Sequence, residues 1–171
     1  KKILLGLIIA VMGTGMAFSQ AKIAFVDTEY ILGRIPSYDA SQKQLDKLAG
    51  DWQKEIEEKR VAIEALYKDY QAERVLLTEE MRKKREDDII QREADIKALQ
   101  KKYFAPEGEL FKKRQELIKP IQDDVFNAIK EVAEEGNYAV IFDSASGATM
   151  LYTNPRYDKS DEVLTKLGFQ N

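Results

Sequence analysis

Two aspartates close the two most strand-like stretches of the chain. Asp27 follows Ala21-Lys22-Ile23-Ala24-Phe25-Val26, and Asp143 follows Tyr138-Ala139-Val140-Ile141-Phe142. Brought together, two carboxylates can work as an acid/base pair. An aspartate at a strand end more often accepts hydrogen bonds from the next turn or helix, and that reading is preferred. The chain contains no His and no Cys. Ser-His and Cys-His nucleophiles, thiolate chemistry, disulfides and the usual zinc ligands are thereby removed. Ser146-Gly147 stands alone before a strand-like run, so it is no phosphate-binding loop. No catalytic residue, cofactor site or metal site is assigned, and the chain is not read as an enzyme.

Charge gives the next constraint. A third of the 171 residues are charged, the formal net charge is −3, and the two signs are interspersed. That pattern describes a solvated helical surface rather than a nucleic-acid footprint. The run Met81-Arg82-Lys83-Lys84-Arg85 could touch anionic lipid or an acidic partner. Glu86-Asp87-Asp88 follows at once, so a balanced, solvated face is the preferred reading.

The amino end is organised differently. Lys1-Lys2 precede an uncharged run from Ile3 to Met12, and Ala17-Phe18-Ser19 offers small residues for a cut before Gln20. The order of basic start, apolar centre and small-residue exit is that of a secretory signal peptide over residues 1–19. An uncleaved anchor is the rival, weakened by Gly13-Thr14-Gly15. Loss of Lys1 and Lys2 would take the net charge from −3 to −5.

The elements that must position everything else lie between Asp39 and Glu135. This stretch is rich in Glu, Lys, Gln, Arg, Ala and Leu, and its only glycines are Gly50 and Gly108. Leu45, Trp52, Ile56, Ile63, Leu66 and Tyr70 recur at helical spacing, as do Ile89, Ile96, Leu99, Tyr103, Leu110 and Leu117. The stripe is narrow, close to a coiled-coil seam. A single helix would reach roughly 145 Å at 1.5 Å per residue. Thr78, followed by Glu79 and Glu80, offers a helix start instead. Reversal near 77–78 sets Leu45 opposite Leu110, Trp52 opposite Tyr103, Ile56 opposite Leu99 and Leu66 opposite Ile89. The spacing therefore predicts an antiparallel helical hairpin over 39–119, its tip near 75–80 and its arms roughly 55–60 Å long.

Residues 20–38 and 120–171 remain for a small β-rich body. Strands are expected at 21–27, 138–143 and 149–153, the last two as a hairpin about Ser144–Gly147. A helical turn at 28–32 would be capped by Asp27 or Thr28, and Ser37 or Asp39 would cap the first arm. Phe104-Ala105-Pro106-Glu107-Gly108 predicts a kink or short irregular stretch, Gly136-Asn137 a glycine stop, and Ser160 or Asp161 the cap of a final short helix. Three short strands cannot bury their own apolar side chains. Ile23, Phe25, Val140, Phe142 and Leu151 are therefore expected to join copies of the chain in a shared sheet or barrel. The fold class is α+β: a helical-hairpin arm on a small associating β body.

Lys22-Ile23-Ala24-Phe25-Val26-Asp27, the charged hairpin, Ala139-Val140-Ile141-Phe142-Asp143 and Asp161-Glu162-Val163-Leu164-Thr165-Lys166-Leu167 occur in that order after the signal peptide. Over essentially the whole mature chain this resembles the Skp (OmpH-like) family of periplasmic chaperones. The resemblance implies a homotrimer with a β-barrel body and three helical tentacles around a cavity. It also implies ATP-independent holding of unfolded outer-membrane proteins in the periplasm. The family's best-known member is strongly basic, with a lipopolysaccharide-binding surface of Lys and Arg. This chain is acidic, so that site is not carried over. The alternative is a structural coiled-coil spacer or adaptor binding one folded partner; its irregular seam counts against that. On the holdase reading, the client contacts are expected at Tyr67, Val75, Leu76, Leu77, Met81 and Phe104, which the seam does not clearly use.

Overall fold

The computed structural model describes residues 21–147 and 150–169. The signal-peptide reading and Thr149, the first residue of the expected third strand, lie outside them. Strand β1 (Lys22–Val26) leads into α1 (Thr28–Gly33), α2 (Pro36–Glu73), α3 (Glu79–Phe104), α4 (Glu109–Leu117) and α5 (Lys119–Gly136). Strand β2 (Tyr138–Asp143), a 3-10 turn (Pro155–Tyr157) and α6 (Ser160–Lys166) complete the order.

Helices α2 and α3 form the arm. The 38 residues of α2 span about 57 Å. Its start differs from expectation: Pro36 occupies the first turn, and Ile35 caps it without a side-chain bond. Proline suits this place because its missing N–H would be unpaired anyway. Asp39 instead pairs with Lys43 one turn on. Past the turn at 74–77, Thr78 Oγ1 accepts from the Met81 N–H at 3.3 Å, with Glu79 and Glu80 in the first turn of α3.

The seam between α2 and α3 is a ladder of seven-residue steps. Ile56, Ile63 and Tyr70 are buried from one helix, and Ile89, Ile96 and Tyr103 from the other. Trp52, Leu66, Leu77 and Leu99 pack beside them. Seven-residue spacing keeps one narrow stripe against the partner helix. Between α3 and α4 the helix is interrupted over 105–108, where Ala105 and Gly108 are both extended. A side chain at Gly108 would lie 2.9 Å from the carbonyl oxygens of Lys102 and Tyr103.

The root of the arm is mostly helical, not β-rich. Its core is Val26, Ile31, Ile35, Val125, Ala128, Val132, Val163 and Leu164, drawn from β1, α1, the start of α2, α5 and α6. Each Val, Ile or Leu among them contributes about 1.5–3 kcal/mol when fully buried. Strands β1 and β2 run parallel, with Ile23 beside Val140 and Phe25 beside Phe142. Parallel strands need a long crossover; here the whole arm is that crossover.

Among the described residues the expected hairpin after β2 is not formed. Met150–Thr153 are in no strand, and β2 pairs with β1 alone. The far side of β1 is occupied by a bridge between Phe25 and Asp158 and by the Lys159 N–H donating to the Phe25 carbonyl at 2.9 Å. Strand-forming side chains form no strand without a ladder partner.

Two helix-end signals also read differently. The left-handed residue ending α5 is Asn137 (φ 51°), while Gly136 stays helical. Gly136 is small for another reason: a Cβ there would lie 2.1 Å from the Tyr138 ring. Neither Ser160 nor Asp161 caps α6. Asp158 accepts from the Ser160 N–H and hydroxyl, at 2.9 and 2.6 Å.

Candidate functional site

The two strand-end aspartates are structural. Asp27 Oδ1 accepts from the Tyr30 N–H at 2.8 Å and caps α1. Asp143 accepts from the Thr28 hydroxyl at 2.8 Å and from the N–H groups of Thr28 and Ala145. With their lone pairs turned to local donors they fasten the β2 end to the start of α1. No group of His, Cys, Asp and Glu suited to a metal occurs among the described residues.

Two surfaces remain. The first is the open face of the sheet. Ala24 and Val26 point into the core, so the alternation of the strand turns Ile23 and Phe25 the other way. Parallel register sets Val140 and Phe142 beside them, both exposed. Parallel sheets normally have both faces covered; this one has one. Leu151, in the irregular segment, is 94% exposed. A groove of about 680 Å³ runs across this face, with Tyr138, Tyr152, Arg156 and Tyr157 adding to its wall. Sequence reading missed the last three, since their placement depends on the 3-10 turn closing against β1.

The second surface is the outside of the arm. Val75 and Leu76 at the tip are 89% and 84% exposed. Tyr67, Met81 and Phe104 are also exposed, Phe104 while setting its edge against Trp52 and Tyr103. Leu77 departs from expectation: it is half-buried and packs onto the seam cluster, which it closes at the tip. Val61, Ile90, Phe111 and Phe126 are exposed as well. Ile90 follows seam residue Ile89, and only the helical phase of a known seam separates the two.

The tip charges are paired across and along the helices. Arg85 meets Glu73 of α2 at 3.4 Å, and Arg82 meets Glu79 at 3.3 Å. The expected partners, Glu86 and Asp88, are engaged elsewhere: Glu86 accepts from the Tyr70 hydroxyl, and Asp88 pairs with Arg92 at 3.0 Å. Near the root end Tyr103 donates to Glu55 at 3.0 Å. Each of these carboxylate bonds holds its phenol in the neutral form and raises its pKa above the ordinary 10.0, and burial adds to the effect.

The fold thus defines a helical-hairpin arm on a small root whose sheet has one apolar face uncovered. The chain belongs to the OmpH-like family: the family described as Outer membrane protein (OmpH-like) matches residues 22–167. An uncharacterized protein of Aquifex aeolicus (strain VF5) is 30% identical over 153 residues, covering 90% of this chain and 89% of that protein. The crystal structure of a candidate outer membrane chaperone (OmpH-like) from Caulobacter crescentus CB15 is similar in fold. Its TM-score is 0.66 at 13% identity, covering 87% of this chain and 85% of that one.

Proposed function

We propose that this protein is a periplasmic chaperone that holds unfolded outer-membrane polypeptides against its arms without nucleotide. The observation carrying this reading is that the arm satisfies its own seam and still leaves a separate outward set of apolar side chains. Tyr67, Val75, Leu76, Met81 and Phe104 lie among charged neighbours, so each offers a small apolar contact that breaks easily. A client that must be released without an energy source requires such weak contacts, since adhesion grows by about 25 cal/mol per Å² of apolar area buried. Membership of the OmpH-like family supports the chaperone role and the periplasmic location.

The uncovered sheet face supports association of copies through Ile23, Phe25, Val140 and Phe142, with Leu151 nearby. The family resemblance supports a homotrimer with a shared barrel as the form of that assembly. The test is light scattering of a urea-diluted outer-membrane β-barrel protein without ATP. Intact protein should suppress aggregation, and deletion of residues 60–95 should abolish suppression while copies still associate. Equal suppression by the shortened chain would refute holding by the arms. No suppression by either would favour a spacer binding one folded partner.

A further inference from the structure

Phe104 is exposed and yet held in place. Its ring stands at 82° to both Trp52 and Tyr103, with centroids 6.4 and 6.3 Å away. Those two rings are themselves stacked across the seam. Tyr103 is buried and Trp52 half-buried, so Phe104 is the member of the trio that reaches solvent, at 40% exposure. The course of the chain keeps it open. Helix α3 ends at Phe104, and Ala105 is already extended. In a continued helix the side chain four residues on would lie beside the ring. That residue is Gly108, outside the helix and without a side chain.

The other outward apolar residues of the arm are not fixed in this way. Val75 and Leu76 lie in the turn at the tip, apart from the seam cluster. Among the described residues Tyr67 packs against no other ring. A ring already fixed in place loses little freedom on binding. Its partner is also restricted. Aromatic rings pair edge-to-face or offset, with a gain beyond the area they bury. Of the nearby carboxylates, Glu55 bonds to Tyr103 and Glu109 pairs with Lys112. Lys101, Lys102 and Glu107 remain beside Phe104 in the chain, a net positive set that disfavours a cationic side chain.

We propose that Phe104 is the anchor of the arm for aromatic side chains of its client, and so a specificity-determining residue for what the arm retains. The proposal rests on the chaperone reading and sharpens it. Outer-membrane barrels carry girdles of aromatic residues at both membrane interfaces, and the unfolded chain exposes them.

The test compares two dye-labelled unfolded probes: an outer-membrane β-barrel protein, and the same protein with its girdle aromatics replaced by leucine. Wild type should bind the aromatic probe about two- to tenfold more tightly than the leucine one. Phe104→Leu should lose most of that preference, with little change toward the leucine probe. Phe104→Tyr keeps the ring and should retain the preference, as should Tyr67→Leu. Emission of Trp52, the only tryptophan of the chain, checks that the ring stack survives in each variant. An equal preference in wild type and Phe104→Leu, its loss in Phe104→Tyr, or an equal loss in Tyr67→Leu would overturn the anchor and leave holding by the arms intact. Failure of wild type to bind either probe would sink the chaperone reading, and the anchor with it.

Discussion

Trp52 and Tyr103 stack with ring centroids 4.7 Å apart and planes 2° from parallel. These two rings come from opposite helices of the arm, so their contact sets the register of the hairpin. A slip of one helix by a single turn would part them and remove Glu55 from the reach of the Tyr103 hydroxyl. The hydroxyl would then lose its carboxylate partner. The register is thus specified by a polar bond as well as by apolar packing.

The first prediction tests that register. Cysteines at Ile56→Cys and Leu99→Cys should form a crosslink inside one chain, whereas Ile56→Cys with Leu110→Cys should not. Trp52→Ala should lose the ring pairing, about 1 kcal/mol, together with part of its burial. Calorimetry should then show melting lowered by at least about 2–4 °C. The reverse crosslinking pattern would discard the hairpin alignment.

The register was legible in the sequence because both seam stripes are long and their bulkiest members match across one reversal point. Thr78 was legible as a cap for the same local reason: its bond to the Met81 N–H spans three residues. What escaped depended on distant parts of the chain. Met150–Thr153 has strand-like composition but finds no ladder partner among the described residues, and β2 pairs instead with β1, more than a hundred residues away. Gly136 looked like a stop, whereas its role is to admit the ring of Tyr138, and Asn137 takes the left-handed turn. Leu77 looked spare because its seam partners are set by the shape of the tip. Of the candidate surfaces, the outward residues were legible as those left over once the seam phase was known.

The second prediction concerns alkaline pH. Tyr70 and Tyr103 donate to Glu86 and Glu55, and their pKa values are raised in the folded arm above 10.0. The folded state therefore keeps these protons longer than the unfolded chain does. Stability from the two bonds is fully present below the unfolded value and is lost as pH rises through the raised one. Ultraviolet titration of the folded protein should show a late tyrosine phase above the ordinary value, and Tyr70→Phe with Tyr103→Phe should remove it. A titration unchanged by the two substitutions in its late part would contradict the assignment.

The third prediction addresses the open sheet face. Val140 and Phe142 are exposed beside Ile23 and Phe25, on the side of the sheet away from the core. A charge introduced by Val140→Asp would be tolerated in a single chain, since that face is solvated there. In an assembly that covers the face it would be buried unpaired, at several kcal/mol per chain. Sedimentation should show dissociation while circular dichroism shows unchanged helix. An intact assembly would place the association surface elsewhere.

The last prediction separates the apolar and ionic parts of client capture. Val75 and Leu76 are the most exposed apolar pair on the arm, and no seam residue depends on them. Val75→Ser with Leu76→Ser should leave folding and association unchanged, because neither side chain is buried. If the tip grips apolar segments of an unfolded client, affinity should fall about two- to tenfold, as expected for the loss of part of two apolar contacts. The tip also carries Arg82, Lys83, Lys84 and Arg85 beside Glu79 and Glu80. Exposed charges of both signs act chiefly on the encounter with a charged client and are screened within about 10 Å at 0.1 M salt. Raising salt from about 0.05 to about 0.5 M should therefore slow association in wild type and in the double variant alike. The dissociation rate should respond to the variant and hardly to salt, since it reflects the apolar contacts. Stopped-flow fluorescence with a dye-labelled unfolded β-barrel protein measures both rates. Capture undiminished in the double variant would exclude the tip as a holding surface and shift attention to Tyr67 and Phe104 along the shaft.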